Sequence, residues 1–242
     1  MTWPVIGRLG TAFPASDGDA WVHLWTFNWV KEALQSGQNP FFTDLLFYPN
    51  GVSLAYHNIA WLHIAAWLPL QALVGPEAAY SLVFLAAFVL NGFAAYLLAR
   101  EIAGSAPAAF IGGLIVAFWP YTLSHHNHPN LILIAWIPLA LLYLKRFFDR
   151  RQLPDALLAA IFIALIGLTR WQLLVIGGFL IGFYVLYRLL AEKQARTMRA
   201  LAVLAGVGLL SILIMAPLLA PVVSAQLTRE NPEALFVDEE VA

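Results

Sequence analysis

Residues Ala78–Ala99 read AAYSLVFLAAFVLNGFAAYLLA, and Arg100 follows. A helix needs about 20 apolar residues to cross the hydrocarbon core of a bilayer, and this stretch is long enough. It contains no Asp, Glu, Lys, Arg or His. Its apolar side chains surround the helix instead of gathering on one face, so lipid or other helices must enclose it. Five further stretches repeat the pattern: Ala108–Leu123, Leu131–Leu144, Ala156–Leu168, Leu173–Leu190 and Ala200–Val223. Several are shorter than an ideal span, and Pro107, Tyr121 and Trp171 extend them into the interface. The expected fold is an all-α transmembrane bundle of about six spans.

Composition agrees. The chain of 242 residues is 61% hydrophobic and 11% charged, whereas soluble domains run at about 45–50% and about 25%. A water-soluble fold of this size cannot bury so much apolar surface. A net charge of −1 argues against nucleic acid as a partner. The absence of cysteine excludes disulfides, thiolate chemistry and cysteine-ligated metal. The first residues, MTWPVIGRLGTAFPAS, lack the apolar run of a signal peptide.

The loops alternate in charge. Arg100, then Lys145, Arg146, Arg150 and Arg151, then Arg188, Lys193, Arg196 and Arg199 lie in three of them, nine of the thirteen Lys and Arg residues. The positive-inside bias assigns these loops to the cytoplasm. The other side then carries residues 1–77, the His125–Asn130 loop, Thr169–Gln172 and the C-terminal tail. All nine Trp residues lie in residues 1–77 or near the outer ends of spans, and all six His residues lie on or near that side. The expected location is a bacterial inner membrane, multi-pass. Three regions follow: an extracytoplasmic loop region with interfacial helices (1–77), the bundle (78–225) and an extracytoplasmic tail (226–242). Ala60–Val74 is apolar but short, and it reads as interfacial or re-entrant.

Asp19–Leu34 reads as an amphipathic helix in which Trp21, Trp25 and Trp29 form one stripe. Such a stripe suits a helix lying on a bilayer. Ser36-Gly37-Gln38-Asn39-Pro40 ends it, and Tyr48-Pro49-Asn50-Gly51 is a turn. Two readings stand for Ser16-Asp17-Gly18-Asp19. One is a helix cap, since Ser and Asp accept from free N–H groups and negative charge favours that end. The other is a general base or a divalent metal site.

Taken together, these segments resemble the GT-C superfamily of membrane glycosyltransferases. The resemblance is carried by Gly18-Asp19, the aromatic helix behind it, Gly37-Gln38-Asn39-Pro40-Phe41 before Tyr48-Pro49-Asn50-Gly51, and Ser124-His125-His126-Asn127-His128 before Trp136-Ile137-Pro138-Leu139. It covers most of residues 15–225. It implies a multi-span bundle, a long first extracytoplasmic loop and transfer of a sugar from a polyprenyl-phosphate-linked donor. The acceptor would be a glycan, a lipid or a protein. Asp19 corresponds to the acidic residue implied as catalytic base, and Asp17 to its partner. A metal stays open: Asp17 and Asp19 are the ligands if a divalent ion such as Mg or Mn serves. The family has a span before the first loop, and residues 3–14 are too short for one. The chain therefore reads as an N-terminal portion of a longer protein.

In this reaction a carboxylate takes the proton of the acceptor hydroxyl, and the lipid phosphate leaves as an anion. The remaining need is for cations or donors around the phosphate. Arg170, between two apolar runs, is the first candidate; the alternative is an Arg snorkelling to the interface beside Trp171. His125, His126 and His128 are candidates for donor binding, with a metal site or a plain polar loop as alternatives. Their i, i+1, i+3 spacing does not put them on one helical face. His57 is a weaker candidate. So is His23, one helical turn from Asp19, which orients that carboxylate or faces water. Asn91 reads as a helix–helix hydrogen bond. The competing functions are a transporter or flippase, or a non-catalytic assembly protein of envelope glycan synthesis. A transporter normally carries ionisable residues at mid-membrane, and the six spans show none near their centres.

Overall fold

The computed structural model describes residues 6–10, 14, 18–57 and 59–227. The architecture is all-α. Five helical segments are long and apolar enough to cross a membrane: Pro76–Ala103, Ala106–Ser124, Pro129–Arg150, Trp171–Ala191 and Met198–Leu227. This is a multi-pass membrane protein.

Helix α1 (Gly18–Ser36) is followed by a hairpin of β1 (Phe42–Thr43) and β2 (Val52–Ser53), paired antiparallel with Phe42 opposite Ser53. Gly37, at φ +70°, ends α1, and the Gln38 N–H donates to the Ala33 carbonyl at 2.8 Å. This is the left-handed helix stop that glycine permits. The buried face of α1 is Ala20, His23, Thr26, Phe27, Val30 and Ala33, three- and four-residue steps along one side. The tryptophan stripe divides accordingly. Trp21 is exposed, while Trp29 is buried and its indole donates to the Pro40 carbonyl at 3.1 Å. Helix α1 is therefore packed on the protein through one side and does not simply float on lipid.

Helix α2 (Trp61–Val74) has 14 residues, too few for an ordinary span. Its first residue, Trp61, lines a cleft with Thr169 and Arg170, and its Trp67 indole donates to the Pro76 carbonyl at 3.0 Å. Both partners belong to the same end of the bundle, so α2 lies across that end.

The bundle consists of α3 (Pro76–Ala103), α4 (Ala106–Ala117), α5 (Pro120–Ser124), α6 (Pro129–Ile132), α7 (Trp136–Arg150), α8 (Leu153–Thr169), α9 (Trp171–Ala191) and α10 (Met198–Leu227). Helices α3 and α4 pack closely at two glycines: a Cβ on Gly113 would lie 2.6 Å from the Gly92 carbonyl oxygen. Small residues of this kind let backbones approach where no hydrophobic force drives helices together. The sixth expected span is α8, with 17 residues, near the lower limit for crossing. It is the inner helix of the bundle. Ala159, Ala160 and Ala164 are fully buried, and the Ser211 hydroxyl of α10 donates to the Ala160 carbonyl at 3.0 Å.

One end of the bundle is laced by ion pairs. Arg146 and Arg150 of α7 meet Glu101 of α3 at 2.7 and 3.3 Å. Arg188 of α9 meets Asp149 and Glu192, each at 2.7 Å. The opposite end carries the histidines.

The segment Pro129–Arg150 is broken between α6 and α7. Freed backbone groups at membrane depth require partners inside the protein. Asn91 of α3 supplies them: its Nδ2 donates to the Ile132 carbonyl at 2.6 Å, and its Oδ1 accepts from the Ile134 N–H at 3.0 Å. The residue is fully buried. Asn91→Leu removes both bonds and leaves the Ile132 carbonyl and the Ile134 N–H only their mutual contact at 3.1 Å, a loss of about 1–3 kcal/mol in all. Thermal unfolding in nanodiscs is expected to show a clearly lowered midpoint. The exposed Asn28→Ala on α1 should change stability by no more than about 0.5 kcal/mol. Equal midpoints for the two variants would contradict the role of Asn91.

Candidate functional site at the histidine end

Asp19 stands in the first turn of α1, where the helix dipole favours a negative charge. Its Oδ2 lies 2.8 Å from His128 Nε2. Both side chains are only part-covered, 60% exposed for Asp19 and 34% for His128, so solvent and a ligand can reach the pair. His128 comes from the loop between α5 and α6. Its N–H donates to the His125 carbonyl at 2.8 Å, and its own carbonyl accepts from Leu131 at 2.9 Å.

Two further rings flank His128. His23, one turn along α1 from Asp19, meets it edge-on at 6.5 Å between centroids. His125 lies 6.1 Å away and stacks on Tyr121 at 4.2 Å. His23 is buried and does not face water. Burial is the main cause that pulls its pKa from 6.5 to about 3, and the charges of His63, His128, Arg170 and His57 add to the effect. His63 of α2 is fully buried beside the Pro129 backbone, and burial lowers its pKa to about 4. These two imidazoles are neutral at any ordinary pH.

His57, in the turn after β2, is lowered by burial as well. Its Nε2 lies 3.0 Å from the Thr26 hydroxyl, whose proton is already donated to the Val22 carbonyl at 2.7 Å. The hydroxyl can then only accept, so His57 donates through Nε2 and keeps Nδ1 as its acceptor nitrogen.

Arg170 occupies the extended break between α8 and α9, at φ −168° and ψ 135°. Its Nε donates to Gln172 Oε1 at 3.2 Å. Burial lowers its pKa, while its interaction with Tyr121 opposes that shift. Its charge also reaches His23. The structure thus brings Asp19, His128, His125, His23, His57 and Arg170 to one end of the bundle. His126 turns to the Leu123 carbonyl at 3.1 Å. Asp17 lies outside the described residues. Among the described residues, no three His, Asp or Glu side chains are grouped to hold a metal ion.

Two open spaces adjoin this cluster. A narrow cleft of about 30 Å³ is walled by His57, Trp61, Asn130, Arg170 and Trp171, with Leu218 of α10 behind them. Asn130 is buried, and its Oδ1 finds no partner among the described residues. A larger apolar groove of about 710 Å³ runs between the pair α3 and α4 and the pair α7 and α9. Ile102 lines it towards the basic end, and Trp119 and Tyr121 line it at the histidine end.

The chain belongs to the DUF6311 family. The family model, described as a domain of unknown function, matches residues 10–230. No curated protein and no solved structure matches the chain.

Sequence reasoning gave Tyr121 only an interfacial place and gave His63 and Asn130 no part in the site. Tyr121 stands four residues before His125, the helical spacing that allows their stacking. His63 sits alone in an apolar helix, where burial leaves no local mark. Asn130 follows a proline and carries no pattern. The pH dependence of stability reports on the buried rings. A histidine whose folded pKa lies below its unfolded value binds fewer protons when folded. His23 therefore costs no stability above about pH 6.5, and stability falls as pH drops from 6.5 towards 3. His23→Gln is expected to reduce the slope across that window, with His63 and His57 keeping their share; an unchanged slope would show that His23 does not contribute to it.

Proposed function

We propose that this protein is a membrane glycosyltransferase. It transfers a sugar from a polyprenyl-phosphate-linked donor to a hydroxyl acceptor at the extracytoplasmic face of a bacterial inner membrane. The observation that carries the reading is the Asp19–His128 pair at 2.8 Å, at an end of the bundle where the charge of Arg170 acts on the neighbouring His23. The resemblance of Gly18-Asp19 and its aromatic helix to GT-C enzymes points the same way.

The chemistry asks little of the protein beyond position and charge. Asp19 accepts the proton of the acceptor hydroxyl as that oxygen bonds to the anomeric carbon. The bond from that carbon to the donor phosphate oxygen breaks, and the lipid phosphate leaves as an anion. His128 holds one carboxylate oxygen and so orients the carboxylate. Arg170 and the Tyr121–His125 stack offer a cation and donors for the phosphate. The apolar groove ending at Tyr121 suits an isoprenoid chain. Neutral His23 and His63 add no positive charge to neutralise the base.

Asp19→Asn keeps the shape of the side chain and removes the base. Transfer from a polyprenyl-phosphate sugar in reconstituted vesicles is expected to fall by about 10²–10⁴-fold, with protein level and unfolding midpoint unchanged. Full transfer by the variant would remove Asp19 as base and favour a non-catalytic role.

A further inference from the structure

The hairpin between α1 and α2 ends in side chains that the site does not use. Beyond its two-residue strands the loop runs Asp44-Leu45-Leu46-Phe47-Tyr48-Pro49-Asn50. Leu45, Leu46, Phe47 and Tyr48 are exposed at 60%, 40%, 59% and 83%, and Phe42 at the foot is exposed too. Single exposed apolar residues are ordinary, but a contiguous set marks a surface that meets something. Asp44 is the sole charge in this loop.

The backbone keeps these side chains out. Phe47 sits at φ +55°, a left-handed conformation that bulky residues seldom adopt. Its carbonyl accepts from the N–H groups of Asn50 and Gly51 at 3.0 and 3.1 Å. At Gly51, φ +71°, a Cβ would lie 2.5 Å from Phe42 Cζ and 2.8 Å from the Thr43 carbonyl oxygen. The turn therefore closes in this form only with glycine there.

The foot of the hairpin fixes where the tip stands. Phe41 packs on Trp61, the first residue of α2, at 5.2 Å between ring centroids. Phe41 and Ala55 line the same cleft as Leu218 and Val222 of α10. Val223 and Leu227, further along α10, are exposed apolar residues, on a helix whose composition already assigns its flank to lipid. The loop is short, and its tip extends no more than roughly 10–15 Å from that foot. The foot of the hairpin thus stands beside the lipid-facing end of α10, and the apolar tip lies within that reach of it.

We propose that Leu45–Tyr48 inserts into the membrane interface at the histidine end. Leucine and phenylalanine enter the acyl boundary, and the Tyr48 hydroxyl stays at headgroup level, where such rings gather. The anchor ties the hairpin, and through Phe41 the Trp61 wall of the cleft, to the lipid surface. With no Lys or Arg in the loop, the insertion needs no anionic lipid. It holds whatever reaction Asp19 serves.

The chain has no cysteine, so single labels are clean. Leu45→Cys and Leu46→Cys, each carrying an NBD fluorophore, are reconstituted in phosphatidylcholine vesicles. Both positions are exposed, so folding does not depend on them. The expected result is emission shifted to the blue of the NBD–cysteine adduct in buffer. Quenching by nitroxide-bearing lipid should be several-fold stronger than by aqueous iodide. The same response is expected when phosphatidylglycerol is added. Adduct-like emission with full iodide quenching at both positions would overturn the proposal, as would insertion that appears only with phosphatidylglycerol.

Discussion

The amide of Asn91 is the interaction on which the histidine end depends. A helix that breaks inside a bilayer exposes backbone groups that lipid cannot satisfy. Asn91 meets one carbonyl and one N–H across the break at Ile132 and Ile134. The segment can then stop as α6, turn and resume as α7. That turn directs the preceding loop, with His125 and His128, towards the start of α1. Without the break, a continuous helix would carry the histidines straight out of the bundle and away from Asp19.

The two ends of the bundle treat charge differently. At the basic end, Glu101, Asp149 and Glu192 are matched with Arg146, Arg150 and Arg188 into pairs that tie α3, α7 and α9 together. Such pairs hold geometry and leave little charge to act on a ligand. At the histidine end, burial keeps His23 and His63 neutral. Asp19 comes from the first turn of α1 and Arg170 from the break between α8 and α9. Among the described residues, Arg170 bonds the neutral Gln172. A part-exposed carboxylate, a guanidinium and an apolar groove at one membrane face are what a lipid-carried anionic donor requires.

The spans were legible because lipid imposes a composition that no soluble fold tolerates, and the basic loops and histidines sorted themselves to opposite ends. Helix α1 was legible from its three- and four-residue spacing, but the direction of its faces was not. The tryptophans suggested a lipid stripe, while the small residues Ala20 and Ala33 mark the side that packs, taking Trp29 with it. The partnership of Asp19 with His128 joins residues more than a hundred positions apart, and no local pattern encodes it. Asn91 was legible as a buried hydrogen bond within a span; its partner, a backbone break, was not. Arg170 stood out because a lone cation between apolar runs is costly, and the structure puts it beside the histidines.

Asp19 and His128 act as one unit if the proposed transfer uses the geometry described. A double-mutant cycle isolates this. Transfer rates are compared for the native protein, Asp19→Asn, His128→Gln and the double variant. The expected result is a double variant no slower than the slower single one, since removing either partner already dismantles the pair. Losses that multiply would mean the two side chains contribute independently, and their contact would then not be the functional unit.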